Sequence, residues 1–226
     1  MAAKVPGEAK QNATSDPEVR IDDWRAFAPL ELHPILAAAV EEFREHGYHG
    51  TSVRDVARRA GVSLPMIYYR FDNKQGLLVA LLEGAMSEVL RRARLADAEA
   101  EGRVLDRFAH VVECIVLHMT HREATAGLDA ELRYLEPANR KKYAALRKEL
   151  EELLLEIVEE GVAQGLFEVD SAPDTTRALL GMCQAVSGWY RTDGSLPPAE
   201  IADRYVAISL RTVGARVRPA PHGRAK

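Results

Sequence analysis

Basic side chains that could contact phosphate are concentrated in one short part of the sequence. Residues 44–79 hold six Arg or Lys and three Asp or Glu, which gives them a charge of +3 in a chain whose net charge is −4. The rest of the chain therefore carries −7. This separation confines nonspecific attraction to phosphate to one surface. The elements that must present this surface are two short helices.

Residues 51–74 predict these two helices and the turn between them. An apolar stripe at spacings of three, one and three defines the first helix: Val53, Val56, Ala57 and Ala60. Gly61 then supplies a residue that tolerates positive φ at the helix end. Ser63 is a suitable N-cap for the second helix, and Pro65 lies in its first turn. The pattern is that of a helix-turn-helix.

At these residues the sequence resembles the signature of the TetR family of transcriptional regulators. The similarity extends over about residues 35–82 and includes the segment FREHGYHGTSVRDVARRAGVSLPMIYYRFDNKQGLL. The resemblance implies an all-α fold, in which an N-terminal three-helix helix-turn-helix DNA-binding domain is joined to a larger C-terminal helical ligand-binding and dimerisation domain. It also implies a repressor that binds a palindromic double-stranded operator as a homodimer and is released by a small-molecule effector.

The resemblance further implies which side chains of the helix-turn-helix contact DNA. Thr51, Tyr68 and Lys74 would bind phosphates, and Arg54 would reach guanine or a phosphate. The full predicted set is Thr51, Arg54, Ser63, Leu64, Pro65, Met66, Tyr68, Tyr69, Arg70 and Lys74. Packing between helices is the alternative for one residue of the Tyr68–Tyr69 pair, since adjacent helical residues do not face one groove equally.

The chain divides into four predicted regions. They are a flexible tail over 1–30, the helix-turn-helix domain over 31–79, the effector-binding and dimerisation domain over 80–218, and a flexible tail over 219–226. The first tail has two alternatives. One is a segment packed on the body, with a short helix that Ser15 and Glu18 would cap. The other is an arm that follows a DNA minor groove with four basic residues, Lys4, Lys10, Arg20 and Arg25.

Helical periodicity recurs through the rest of the chain. The predicted helices are 34–45, 74–96, 103–121, 125–135, 137–163, 173–191 and 198–216. Gly47 is expected to end the first, and Gly161 and Gly165 the fifth. By resemblance, the last two helices form a dimer interface; an intrachain core is the alternative. The candidate interface residues are Leu179, Met182, Val186, Ile201, Tyr205, Ile208 and Thr212.

Polar side chains on otherwise apolar helices are candidates for an effector pocket. The candidate set is His110, Glu113, Cys114, Leu117, His118, His121, Arg133, Tyr134, Arg140, Met182, Ser187, Trp189 and Tyr190. The alternative for each is an ordinary core or surface position. A metal site at Glu113, His118 and His121 is disfavoured by loose spacing and a missing fourth ligand. No metal or cofactor is predicted.

The start of the long helix at 137–163 carries an unusual basic cluster. Arg140, Lys141 and Lys142 crowd a first turn whose dipole disfavours cations, so an anion could offset them. Together with Arg133 and Arg147 they could hold phosphates. Family members that respond to acyl-coenzyme A thioesters need such a basic mouth beside an apolar pocket. The alternative is a solvated face balanced by neighbouring glutamates.

Other classes of protein leave no trace in the sequence. It contains no apolar run long enough to span a membrane and no signal-peptide core, so a cytoplasmic protein is expected. Catalytic motifs such as G-x-S-x-G, the Walker loop and H-E-x-x-H do not occur, so an enzyme is not expected. The alternative function is an all-helical small-molecule binding module or enzyme whose helix-turn-helix is only structural.

Overall fold

The computed structural model describes residues 21–215, and every regular element in that range is helical. The predicted all-α fold is therefore confirmed. The α-helices are α1 Pro34–Gly50, α2 Val53–Ala60, α3 Leu64–Phe71, α4 Lys74–Glu99, α5 Val104–His121, α6 Glu123–Ala126, α7 Pro137–Ala163, α8 Ala172–Gln184, α9 Val186–Trp189 and α10 Pro198–Thr212. A 3₁₀ helix, Gly127–Tyr134, lies between α6 and α7. Within residues 21–215, none of the helices is both long enough and apolar enough to cross a membrane.

The first three helices form a small head around a shared apolar core. Ile35 of α1, Val56 of α2 and Ile67 of α3 are fully buried in it. Ser52 caps α2 in a capping box with Asp55, and Gly61 ends α2 with φ 66°. These local signals explain why the turn could be placed from the sequence.

α1 continues past the residue that was expected to end it. Gly47 has φ 67° and ψ 168°, which kinks the chain, and a further helical turn extends to Gly50. This extra turn carries Tyr48 and His49 towards the body. The first helical stretch therefore ends at Gly47, as predicted, and the short turn that follows the kink was not predicted.

The body packs around α4, α5 and α7. Leu78 of α4, Phe108 of α5 and Ile157 of α7 are fully buried in its core. α7 has the bounds that its apolar stripe predicted. Gly161 lies inside α7 against the ring of Phe167, where a Cβ would clash, so it is a packing residue and not a C-cap.

Two segments of the body depart from the predicted helices. Residues 125–135 do not form an α-helix, because the chain changes to 3₁₀ geometry at Gly127, a poor helix former. The predicted helix 173–191 is divided at Ala185 into α8 and α9. Both departures shorten the elements and leave irregular backbone beside α7.

Residues 21–30 pack on the body, so the predicted tail boundary at residue 30 is wrong. The Trp24 side chain is 3% exposed, and its indole N–H donates to Glu99. The Arg25 guanidinium binds Glu113 at 2.9 Å and Glu99 at 3.0 Å. Arg25 therefore does not belong to a DNA-binding arm. The other arm residues and the proposed cap at Ser15 and Glu18 lie outside the described residues.

Candidate nucleic-acid interface

The outer face of α3 leaves large side chains in solvent. Met66 is 50% exposed, Tyr68 49% and Tyr69 90%, whereas Ile67 between them is fully buried. Both tyrosines are exposed, so packing between helices does not account for either one. Pro65 and Arg70 are exposed as well. Apolar and aromatic groups clustered on a surface in this way are typical of a contact site.

Ser63 and Leu64 lie at the start of this face. Ser63 occupies the N-cap position, but its side chain makes no capping hydrogen bond, and it is exposed. Its exposed hydroxyl lies beside the N-terminus of α3, where Pro65 has no N–H and the Met66 N–H donates to the Ser63 carbonyl oxygen at 3.0 Å. Leu64 is half-buried and packs against the core of the head. Of the two, Ser63 has the more open position for a phosphate.

The three arginines of α2 differ in how they are held. Arg58 binds Asp55 at 2.7 Å, and Arg59 binds Glu42 at 2.8 Å and Glu45 at 2.5 Å. The hydrogen bond with Glu45 raises the pKa of Arg59. Within residues 21–215 Arg54 is exposed and has no ion pair. Arg54 is therefore the arginine of α2 whose charge is not balanced by a neighbouring carboxylate.

Thr51 does not occupy the position of a phosphate contact. Its side chain is 3% exposed, and its hydroxyl lies 2.9 Å from the carbonyl oxygen of Glu42 and 3.0 Å from that of Gly47, to which it donates. The predicted role is corrected, because the hydroxyl holds the kinked end of α1. Thr51 thereby fixes the entry to α2.

Lys74 links the elements of the head. Its ammonium donates to the carbonyl oxygens of Tyr48 at 2.6 Å and Thr51 at 2.8 Å, and lies 4.4 Å from the centre of the Tyr48 ring. Burial lowers the pKa of Lys74. Two of its three N–H donors are thus occupied inside the chain. The predicted phosphate contact is left with at most one donor.

A cavity of about 490 Å³ opens on the body near the start of α7. Its lining residues are Leu132, Arg133, Arg140, Tyr143, Ala144 and Arg147. The three arginines that the sequence suggested for anion binding therefore meet at one site, whereas Lys141 and Lys142 do not line it. Arg147 also borders a smaller cavity of about 110 Å³ and binds the Gln184 side chain at 3.1 Å. The arrangement places positive charge beside an apolar wall.

The pocket candidates on α5 do not line either cavity. His110 lies 3.3 Å from the carbonyl oxygen of Ala96, Glu113 pairs with Arg25, and Cys114 and Leu117 are core residues. Burial raises the pKa of the Cys114 thiol. These residues lie beneath or beside residues 21–30. They do not line the two described cavities, which gives their predicted role in a pocket no support, and that role stays a prediction.

Two histidines on α5 have separate structural environments. His121 lies 2.9 Å from the carbonyl oxygen of Leu117 and stacks on Phe27. His118 is 2% exposed, its Nδ1 has no hydrogen-bond partner among the described residues, and burial lowers its pKa to about 4. Residues 21–215 contain no cluster of three His, Cys, Asp or Glu side chains arranged for a metal ion.

The C-terminal candidates divide into core and surface. Leu179, Val186 and Ile201 are at most 2% exposed within the protomer, so they are corrected from interface to core positions. Ile208 is 37% exposed and Trp189 48%. Thr212 is exposed as well, whereas Met182 and Tyr205 are half-buried and pack against the core. Trp189 stacks on Tyr205, with ring centres 6.4 Å apart.

The remaining pocket candidates near α9 also lie outside the cavities. The Ser187 hydroxyl donates to the carbonyl oxygen of Gln184 at 3.0 Å, and Tyr190 is 6% exposed. Both are held within the protomer. They and Met182 and Trp189 are absent from the linings of the two described cavities. Of the predicted pocket residues, Arg133 and Arg140 line a described cavity, and Tyr134 lies next to Arg133.

A contact between head and body was missed by the sequence analysis. Tyr134 stacks on Tyr48 of α1, with ring centres 5.6 Å apart and planes at 12°. Gln75 is nearby: its side-chain oxygen accepts from the Glu136 N–H at 2.9 Å and from the Asn139 amide at 2.7 Å. The only signal in the sequence is a polar residue, Gln75, in the first turn of α4, and it does not indicate which residues Gln75 would contact.

Comparison with known proteins agrees with this geometry. Residues 35–81 match the family "Bacterial regulatory proteins, tetR family", and residues 101–213 match "Tetracyclin repressor-like, C-terminal domain". The HTH-type transcriptional repressor KstR2 of Rhodococcus jostii is 27% identical over 179 residues, which cover 78% of this chain and 87% of that protein. KstR2 of Mycobacterium tuberculosis is 28% identical over 181 residues, with 78% and 89% covered.

Solved structures show the same architecture. A regulatory protein of the tetR family from Rhodococcus RHA1 superimposes with a TM-score of 0.76 and 29% identity, covering 80% of this chain and 96% of the other. The TetR family regulator PfmR of Thermus thermophilus gives a TM-score of 0.70 and 29% identity, with 78% and 97% covered. The similarity thus spans the head and the body together.

Proposed function

Because the chain belongs to the TetR family of bacterial regulatory proteins, we propose that this transcriptional regulator represses by binding a palindromic operator as a homodimer through α2 and α3. The exposed face of α3 is the observation that carries the proposal. Met66 is 50% exposed and Tyr69 90%, although both are large and partly apolar. The family and its relatives identify a regulator and not an enzyme.

The head reads DNA with two kinds of contact. Ser63, Tyr68 and Arg54 surround the face of α3 and supply phosphate contacts that fix its register. Pro65, Met66 and Tyr69 meet base edges in the major groove, where apolar groups suit thymine methyls. Arg70 lies at the edge of this surface. A face of this size specifies few base pairs, so two heads on two half-sites are required for useful specificity.

The dimer is supported by the exposed aromatic and apolar groups of α9 and α10. Trp189, Tyr205 and Ile208 form a surface that remains after the protomer core is filled. Packing this surface against the same surface of a second copy would make an isologous interface. Dimerisation of this kind places the two heads in a fixed relation, as a palindromic operator requires.

The effector is proposed to be an acyl-coenzyme A thioester. Three guanidinium groups at the cavity, those of Arg133, Arg140 and Arg147, suit phosphates. Leu132 and Tyr143 offer an apolar wall to the acyl part. A ligand that prefers the conformer with misplaced heads weakens operator binding by its differential affinity for the two conformers.

The test is a titration of the purified protein onto its own upstream DNA at two salt concentrations, with and without a panel of acyl-coenzyme A thioesters. Binding that weakens steeply with salt and is released by one thioester supports the whole proposal. An Arg147→Gln variant should bind DNA as tightly as the parent protein, but its release from DNA should require higher thioester concentrations. Tight binding that ignores every thioester would exclude this effector class, and the absence of specific binding would exclude the operator proposal itself.

A further inference from the structure

The last extra turn of α1 makes an aromatic contact with the 3₁₀ helix of the body. The Tyr134 ring lies nearly parallel to the Tyr48 ring at 5.6 Å, and the edge of His49 meets Tyr134 at 4.2 Å with planes at 78°. Tyr48 is 8% exposed, so it cannot move without disturbing its neighbours. The position of Tyr134 is therefore transmitted to the end of α1.

From Tyr48 the contact continues into the helix-turn-helix. The Lys74 ammonium binds the carbonyl oxygens of Tyr48 and Thr51 together. Thr51 directly precedes Ser52, the N-cap of α2, and Lys74 is the first residue of α4, three residues after Phe71 at the end of α3. A displacement of Tyr48 thus acts on both ends of the DNA-binding pair of helices.

On its other side Tyr134 adjoins Arg133, which lines the arginine cavity. The Arg133 guanidinium lies 5.3 Å from the centre of the Tyr134 ring. The Arg140 guanidinium donates from one nitrogen to the carbonyl oxygens of Arg133 at 2.9 Å and Leu135 at 3.2 Å, which flank Tyr134 on both sides. An anion bound by Arg140 would draw on the same donor groups that hold this backbone in place.

We infer that Tyr134 is the positioning residue that couples the cavity to the DNA-binding helices. An anionic ligand recruits Arg133 and Arg140, loosens the backbone on either side of Tyr134, and shifts the ring from its stack on Tyr48. The end of α1 then moves, and with it the Lys74 link to α2 and α3. This inference rests on the proposed function and names the route by which the effector would weaken operator binding.

A rival route runs through α4, which extends from Lys74 in the head to Glu99 in the body. If α4 alone carried the coupling as a rigid lever, removing the Tyr134 ring would leave the coupling intact. Position between two sites does not itself demonstrate coupling, so the two routes must be separated by measuring how each site responds to the other.

The experiment uses reciprocity, because a cavity that affects operator binding must itself respond to operator. Ala144→Cys places a single exposed thiol on the cavity lining for an environment-sensitive dye. The native Cys114 and Cys183 are buried, and burial raises the pKa of both thiols, so they react poorly. Dye emission and operator affinity are then measured in the full-length dimer as operator DNA is added.

Three variants at position 134 give the expected pattern. Tyr134→Phe keeps the ring and should keep the parental dye response. Tyr134→Ala removes the ring, and Tyr134→Leu keeps apolar volume without stacking; both should lose most of the response while still binding operator. With octanoyl-coenzyme A as the probe, the release factor should fall from the range of about 5–150 that is usual for allosteric coupling to about 3 or less in Ala and Leu, but not in Phe.

The outcomes separate this inference from the effector proposal. A full dye response in Tyr134→Ala or Tyr134→Leu would assign the coupling to α4 and overturn the role of Tyr134, as would a parental dye that does not respond to operator. Failure of octanoyl-coenzyme A in the parent would refute that effector alone, since the dye arm needs no effector. A parent that binds no operator would refute the proposed function and the coupling with it.

Discussion

The exposed face of α3 contrasts with the groove beneath residues 21–30, which is lined by Glu88, Arg92 and Arg122. On α3, Tyr69 is 90% exposed and Met66 50%. In the groove, Arg92, Arg122 and Glu88 are at most 8% exposed, although all three carry charge. Large side chains that remain exposed can contact another molecule, whereas charges that are buried and paired stabilise the folded chain.

The charged side chains of the groove are paired with one another. Glu88 binds Arg92 at 3.0 Å and Arg122 at 2.8 Å. The two guanidinium groups also donate to backbone oxygens of Ala26 and Ala28, and they face the Phe27 ring from 3.8 Å and 5.1 Å. Burial by itself would raise the pKa of the Glu88 carboxyl, but the Arg122 hydrogen bond and charge bring it below its usual value.

The largest expected effect is a loss of stability caused by a substitution in the groove. Glu88→Gln leaves two buried guanidinium groups without a carboxylate, which should lower the free energy of unfolding by about 3–5 kcal/mol. Operator affinity per folded molecule should stay within about twofold, because the face of α3 is untouched. Urea unfolding and titration of the active fraction measure the two quantities. Glu101→Gln, at an exposed ion pair, is the control, with about 0.5 kcal/mol or less expected; equal losses would contradict the comparison.

The second largest expected effect is a dependence of stability on pH, which comes from His118 in the same region. Its folded pKa of about 4 is below the ordinary 6.5, so the unfolded chain binds more protons between these values and stability falls as pH decreases from 6.5 towards 4. Above 6.5 this contribution is fully present. The loss should reach about 2 kcal/mol at pH 5. Urea unfolding from pH 7 to pH 5 should show a shallower dependence in His118→Leu, and an unchanged slope would exclude this origin.

On α3 the expected effect is on binding and not on stability. Tyr69→Ala should weaken operator binding by about 1–3 kcal/mol, the range for a contact that reads a base. Its free energy of unfolding should change by about 0.5 kcal/mol or less, since the side chain is already exposed. Leu95→Ala, which removes a 40% exposed side chain from the second half of α4, should affect neither quantity. Full operator affinity in Tyr69→Ala would contradict the proposal that this residue on the face of α3 contacts DNA.

The smallest effect distinguishes two arginines of α2. Arg54→Ala should reduce the slope of log affinity against log salt by about 0.9 if Arg54 neutralises one phosphate. Arg58→Ala should change it less, because the Arg58 charge is already paired with Asp55 at 2.7 Å. Parallel titrations at four or five salt concentrations measure the slopes. A loss for Arg54→Ala that is confined to one operator sequence would assign Arg54 to a guanine instead.

Features fixed by local chemistry could be predicted from the sequence. Gly61 ends α2 because it adopts φ 66°, and the apolar stripe of α7 predicted both of its ends. The exposed set on α3 followed from the period of a short helix whose buried side is narrow. The meeting of Arg133, Arg140 and Arg147 was also within reach, since one helix start brings them together.

Features fixed by distant contacts could not be predicted. Thr51 was assigned to DNA by resemblance, and its hydrogen bond to the Glu42 carbonyl oxygen could not be predicted because it depends on the kinked backbone at Gly47. Ala28 meets Arg122 across 94 positions, so the sequence left packing on the body as one of two alternatives for the first described residues and did not identify their partners. The cover that Trp24 and Phe27 give to His110 and His121 was not predicted for the same reason.

Side-chain oxidation by hydroxyl radicals, with and without operator DNA, tests the central claim most directly. Met66 and Tyr69 are exposed and reactive, and Leu95 in the second half of α4 is 40% exposed and lies outside both proposed interfaces, so it serves as the reference side chain. Operator is expected to protect Met66, Tyr68 and Tyr69 strongly and to leave Leu95 unchanged. Equal oxidation of the α3 side chains in both states, while operator is bound, would show that this face is not the DNA-binding surface.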